Sequence, residues 1–284
     1  MTERLADVSA RIDGIRQLGS VVNAMKGIAA ARAHVARAQV GAIDSYAATI
    51  AAALSTVLPR DGTPDRGGSG QDARADGTGL LVFCAEQGFA GAFSERVLDS
   101  IGGELDGAQL FLIGTRGLSV AAARGVAPVW SASLPSHTPG IPKLADEITK
   151  AIYRSVEEGD IESLDVVYAG WNSGRPLVVR QAVFPIDLSE FPPAATDRPL
   201  TQLPTETLIA GLSADYFHAQ VCKAALHAFA AENEARMEAM SAAGSQIARE
   251  LETFEATLRR VRQEAITAEI IELGTGAKTA RDAR

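Results

Sequence analysis

Four histidines, two cysteines and two glycine-rich stretches are the places where this sequence has the residue types for chemistry. His34, His137, His218 and His227 show no metal-ligand spacing. His218 and His227 are nine residues apart and do not stack on adjacent helical turns. None stands beside a serine or cysteine in a nucleophile motif, so each reads as a surface or helix-packing histidine. Cys84 and Cys222 lie far apart in separate apolar stretches and read as buried thiols, not as a disulfide or a metal pair. GIRQLG, residues 14–19, has the glycine spacing of a phosphate-binding loop. Ser20 follows it where that loop needs lysine, and no strand precedes it, so the phosphate reading fails on context. In QGFAGAF, Gly88 and Gly91 would let a backbone approach an anion at a helix start. The stretch lacks the G-x-G-x-x-G spacing and a downstream acidic partner, and a structural turn is the better reading. No catalytic constellation, metal site or cofactor site emerges.

The elements around these residues are mostly helical. The 284 residues are 46% hydrophobic but only 5% aromatic, a balance suited to close helix contacts around alanine. A net charge of -8 repels the phosphate backbone and argues against nucleic-acid binding. The stretch MTERLADVSARID lacks a basic segment followed by an apolar core and a small-residue cleavage site, so no export signal is expected there. The apolar runs read as shorter than a bilayer span, so any membrane role is expected to be peripheral.

From Thr2 to about Leu58, steps of three and four starting at Leu5 meet Val8, Ile12, Ile15, Gly19, Val22, Lys26, Ala29, Ala33, Ala36, Val40, Ile43, Ala47, Ile50, Leu54 and Val57. Only Lys26 is charged, so the walk predicts a heptad helix, roughly 80 Å long at ~1.5 Å per residue. Pro59 to Gly79 reads as a flexible loop. LLVFCA, AQLFLIG, LDVVYAGWNS and PLVVRQAVFPID read as strands. GAFSERVLDSIGGEL, TRGLSVAAARG and KLADEITKAIYRSVEEGD read as helices between them. That alternation predicts an α/β domain with a largely parallel sheet over 80–205, closed by the proline-rich return linker Phe191 to Glu206. From Met237 the same walk meets Met240, Gly244, Ile247, Leu251, Phe254, Leu258, Val261, Ala265 and Ala268, a second heptad helix within 206–284. The expected fold is thus an antiparallel coiled coil of the N-terminal helix (1–58) and the C-terminal helix, with a Rossmann-like α/β domain inserted after a loop at 59–79. Such a chain would be a rod carrying a globule.

Arg11, Arg16, Lys26, Arg32 and Arg37 face a single acid, Asp13, over 11–37. They form either a solvated helix face or, on a protruding rod, a surface for an acidic partner. Near the other end, Arg262, Gln263, Thr267, Glu269 and Glu272 lie beside Ile266, Ile270 and Ile271, which leave the two-helix seam and imply burial against something else.

RIDGIRQLGSVVNAMKGIAAAR (11–32), AEQGFAGAFSE (85–95) and ARMEAMSAAGSQIARELETFEATLRRVRQEAITAEIIEL (235–273) together resemble the gamma subunits of F-type ATP synthases. The resemblance spans nearly the whole chain and is most specific in ARM-x-AM-x-AA followed by RQ-x-xIT-x-E. It implies a non-catalytic rotor shaft inside a ring of alpha and beta subunits, coupling ion flow, of protons or another ion, to ATP synthesis or hydrolysis. The implied partners also include an epsilon subunit and a membrane ring of c subunits. It implies no cofactor, membrane contact only through the complex, and a place on the cytoplasmic face of the bacterial inner membrane. It further implies that Met25 approaches an acidic lever of the beta subunit and that Arg236 is a polar contact to the ring. Arg262, Gln263, Thr267 and Glu269 become an upper contact cluster, with Ile266 and Ile270 in an apolar collar.

The chain departs from the family pattern at three places. Ser20 and Asn23 replace lysines, Glu86 to Ala92 replace a D-R-G-x-C-G-G turn, and Ser241 to Gln246 replace K-A-A-T-D-N. Loss of positive charge beside an acidic lever implies a divergent gamma, such as one from a second ATPase operon. Two other readings remain open: a Rossmann-like enzyme with helical arms, and a coiled-coil adaptor unrelated to ATPases.

Overall fold

The computed structural model describes residues 2–58, 77–105, 107–172, 175–188, 191 and 200–282. The elements are α1 (Thr2–Val57), β1 (Thr78–Phe83), α2 (Phe93–Asp99), β2 (Gln109–Ile113), α3 (Thr115–Ala123), β3 (Trp130–Ala132), α4 (Ile141–Glu157), β4 (Ser163–Asn172), β5 (Arg175–Phe184) and α5 (Thr205–Asp282). In sequence order, long terminal helices thus flank an inserted α/β sheet, as expected. Contacts group the chain into two compact units that cut across both helices. One is Met1–Ile28 with Met237–Arg284, and the other is Ala29–Arg236.

In the first unit the start of α1 packs on the end of α5. Ile12, Val22, Met240 and Val261 are buried there, and the other described seam positions are half-buried. The pairing is antiparallel, since partners on α5 move back as α1 advances. The Arg11 guanidinium lies over the Phe254 ring at 5.4 Å, Gly19 faces Ile247, and Gly244 faces Val22. Small residues at 19 and 244 let the two backbones approach closely.

In the second unit the sheet has the order β3-β2-β1-β4-β5. β1 pairs in parallel with β2 and β4, β2 in parallel with β3, and β5 closes the edge antiparallel to β4. β1 is buried along its whole length, as a central strand covered on both faces must be. Its residues alternate between two cores. Leu81 and Phe83 join Phe111, Ile113, Ile148 and Ile152 with Phe217, Val221 and Phe229 of α5. Leu80, Val82 and Cys84 join Phe93, Leu98, Leu112 and Val167 with Ala231 and Ala235 of α5. A smaller cluster gathers Ala47, Ile50 and Leu54 of α1 with Phe191 and Ala219.

Four expectations need correction. Thr78 and Gly79, assigned to the loop, open β1; Gly79 is in register with Gln109 and Leu164 and sits so close to Leu164 that a β-carbon there would lie 2.9 Å from Cδ1. Residues 59–76 of that loop lie outside the described residues, as do residues 192–199 of the return linker, whose last two residues, Thr205 and Glu206, already belong to α5. The helix expected within GAFSERVLDSIGGEL, ended by its glycines, is Phe93–Asp99, and the chain turns from Ser100, just ahead of Gly102 and Gly103. β3 was not expected at all. Finally, α1 does contain an 18-residue window of mean hydropathy 1.3, enough by length and composition to cross a membrane. Its abundant alanines and sparse charges raise the index even where no long run of large apolar residues exists.

Candidate interaction surfaces

The tip of α5 carries the cluster expected from sequence. Arg262, Gln263, Ile266, Thr267, Glu269 and Ile270 are all exposed, while Val261 beside them is buried on the seam. The Thr267 hydroxyl donates to the Gln263 carbonyl at 2.9 Å, a bond within the helix that leaves the outward surface to the larger side chains. Ile266, Ile270 and Leu273, each more than half exposed, follow at i, i+4 and i+7 and make one apolar stripe.

Met25 is half-buried on α1. It lies within a second stripe that the first heptad walk passes over: Leu18, Val21, Met25 and Ile28, at steps of three, four and three. Leu18, Val21 and Ile28 are more than half exposed. The same walk begun at Leu18 would have found it in the sequence.

The basic stripe divides. Arg16 bonds Glu255 at 2.8 Å, Arg11 stacks on Phe254, and Arg37 pairs with Glu234 at 2.9 Å. Lys26 and Arg32 are half-buried. Much of this positive charge therefore serves contacts within the chain rather than an open face.

Arg236 is placed differently from the α5 tip. It is 5% exposed, in a run of buried polar residues on α5 that also holds Glu232, Asn233 and Glu234. Its guanidinium donates to the carbonyls of Gly88 (3.2 Å) and Gln87 (3.3 Å) and to Asn233 Oδ1 (3.1 Å), and it pairs with Glu232. The Glu232 carboxylate accepts the backbone N–H groups of Glu86 (3.0 Å) and Gln87 (3.2 Å). The glycine-rich turn after β1 does bind an anion, and the anion is a carboxylate of α5. Glu86 in turn accepts the N–H (3.0 Å) and hydroxyl (2.7 Å) of Thr115 and the N–H of Leu134 (2.8 Å). The turn ends in Phe89, exposed and left-handed at φ 63, and Gly91 at φ 59. Beside it opens a cleft of about 390 Å³ lined by Gln87, Gly88, Phe89, Gly91, Glu95 and Arg116.

The remaining candidates for chemistry are occupied structurally. Cys84 and Cys222 are buried free thiols, and burial pushes them up to about 12 and about 11. His227 stacks on Tyr168 at 5.7 Å and is lowered by burial; His218 Nε2 stands 3.1 Å from Asp146. Gly14 and Gly19 lie within α1. Among the described residues no group of three or more histidine, cysteine or acidic side chains is arranged to hold a metal.

Terminal helices that pair in the first unit and carry exposed apolar stripes, with a sheet inserted between them in sequence, define a helical assembly subunit. The ATP synthase family matches residues 4–279. The chain belongs to the family of ATP synthase gamma chains, non-catalytic rotor subunits of the central stalk in rotary ATP synthases. It is 27% identical over 300 residues to the gamma chain of Frankia casuarinae, covering 98% of each chain, and 26% identical to that of Moorella thermoacetica, covering 96% of this chain and 98% of that one. It also shares its fold, at a TM-score of 0.68 and 12% identity, with a chain in the rotor of the Euglena gracilis mitochondrial ATP synthase, covering 94% of this chain and 100% of that one.

Proposed function

We propose that the first unit is the part of this gamma chain that turns inside a ring of alpha and beta subunits, and that its two exposed apolar stripes are the bearing surfaces. The observation that carries this reading is the pair Leu18–Val21–Met25–Ile28 and Ile266–Ile270–Leu273, left outside a seam that already seals the helix pair. Ile266 and Ile270 sit in an apolar collar. Arg262, Gln263, Thr267 and Glu269 are the polar contacts around it, and Met25 meets the beta subunit's acidic lever. Arg236, with its guanidinium buried, serves the ring contact through the Gln87–Gly88 turn that it holds. An epsilon subunit and a ring of c subunits complete the partner set, and the whole associates with the cytoplasmic face of a bacterial plasma membrane. Structures similar in fold support the setting, since one is described as a central stalk with its c ring.

The departures at Ser20, Asn23, Glu86 to Ala92 and Ser241 to Gln246 mark a divergent gamma, in this reading that of a second ATPase. A shaft makes no bond and owes its effect to unequal contacts with three conformations of the surrounding subunits. Reconstitution tests it. Added to alpha and beta subunits, the chain should assemble with them and raise ring ATPase activity severalfold; a coiled-coil adaptor would do neither. An α/β domain that instead bound nucleotide in calorimetry would favour an enzyme.

A further inference from the structure

We propose that Glu232 and Arg236, with Glu86, are positioning residues that lock the α/β sheet to α5, so that sheet and helix turn together under torque. The proposal rests on the shaft reading and concerns the inner side of the Gln87–Gly88 turn, where it meets α5, rather than the outer side that the reading gives to the ring. On this face the side chains that α5 presents to the core around β1 and α2 are Ala231 and Ala235. Apolar contact of that kind resists separation but has no preferred direction. Phe217, Val221 and Phe229 hold earlier turns of α5 in the other core, but at the turns beside Glu232 and Arg236 alanine on a smooth core adds little hold against twisting of the helix about its axis. Hydrogen bonds do have direction.

Glu232 and Arg236, one helical turn apart, grip consecutive backbone groups of one turn from both polarities. The carboxylate holds the N–H groups of Glu86 and Gln87, and the guanidinium holds the carbonyls of Gln87 and Gly88. A rotation of α5 by one residue would break all four bonds together. Glu86 then passes the constraint onward, since its carboxylate ties the same turn to the first residue of α3 and to Leu134 beyond β3. A buried carboxylate–guanidinium pair adds little net stability over a well-packed apolar pair, because desolvation offsets the attraction. What an apolar pair cannot reproduce is the fixed angle between helix and sheet.

The variant that separates stability from stiffness is Glu232→Leu/Arg236→Met, which removes both charges and leaves neither uncompensated. In the isolated chain, hydrogen exchange at the Glu86 and Gln87 amides should speed up at least tenfold. In the full ATP synthase complex in sealed vesicles, protons pumped per ATP hydrolysed should fall at least fivefold. Unchanged amide protection would overturn the proposal, as would pumping and hydrolysis that stay in the wild-type ratio while exchange is fast. If the double variant does not fold, Glu86→Gln serves instead, with a fall of about threefold expected in the same ratio and an unchanged ratio again refuting the joint. A wild-type complex that fails to pump would instead refute the shaft reading itself.

Discussion

Gly117 of α3 rests directly on Cys84 at the end of β1: a β-carbon at 117 would stand 2.1 Å from the Cys84 Cβ and 2.9 Å from its Sγ. Neither backbone can retreat, because the Gly117 N–H donates to the Ala85 carbonyl at 3.2 Å. Gly117→Ala should therefore lower the stability of the chain by about 3 kcal/mol in urea unfolding, at the upper end of overpacking costs. Adding Cys84→Ala should not restore it, since the offending atom is a β-carbon, whereas Cys84→Gly should restore part.

Both thiols predict a loss of stability at high pH. Burial raises Cys84 from 9.0 to about 12 and Cys222 from 9.0 to about 11, so the folded chain keeps protons that the unfolded chain releases. The stability they contribute is complete below the unfolded value and is lost as pH rises through the folded one. Between pH 9 and 11 stability should fall by up to roughly 1.4 kcal/mol per pH unit for each thiol. Replacing both cysteines by alanine should flatten that slope. Native labelling by a thiol reagent at pH 8 should be slow, and fast only after unfolding.

At Gly19 two effects of similar size oppose one another. A β-carbon there would meet Ile247 Cγ2 at 3.3 Å, a squeeze that a side-chain methyl can relieve by a small shift. Alanine in a helix interior gains about 1 kcal/mol over glycine. Gly19→Ala should thus change the melting temperature little in either direction. Gly19→Phe has no such compensation and should open the pairing of α1 with the end of α5, read as faster amide exchange over residues 12–28. Identical exchange in the Phe variant would show that the seam does not depend on close approach at this position.

The exposed stripe makes a prediction of the opposite kind, since its replacement should spare the fold. Ile266→Asp with Ile270→Asp should leave the circular dichroism and unfolding midpoint of the isolated chain within error, because both side chains are more than half exposed. Assembly with alpha and beta subunits, or coupled activity of what assembles, should drop at least tenfold. Normal coupling in that variant would remove the collar from the proposed function.

The seam was legible in the sequence because a heptad period is a local property. Every described residue of both three-four walks is buried or half-buried, from Leu5 to Val57 and from Met237 to Ala268. The buried strands were legible for a similar reason, as LLVFCA is apolar throughout. Sequence by itself therefore determined the long helices, the inserted sheet and the stretches by which the family is recognised. It did not reveal β3, whose three residues have no period and whose identity comes from pairing Phe111, Leu112 and Ile113 with Trp130, Ser131 and Ala132. Nor did it place Arg236, although ENEAR, a polar run inside an alanine-rich helix, was the available signal. Read along the chain, Glu232 and Arg236 are an ordinary i, i+4 pair on a helix surface. Only folding lays the Gln87–Gly88 turn over that pair and buries it, and the difference is physical: a period repeats among near neighbours, whereas burial of a charge depends on which distant backbone arrives to satisfy it.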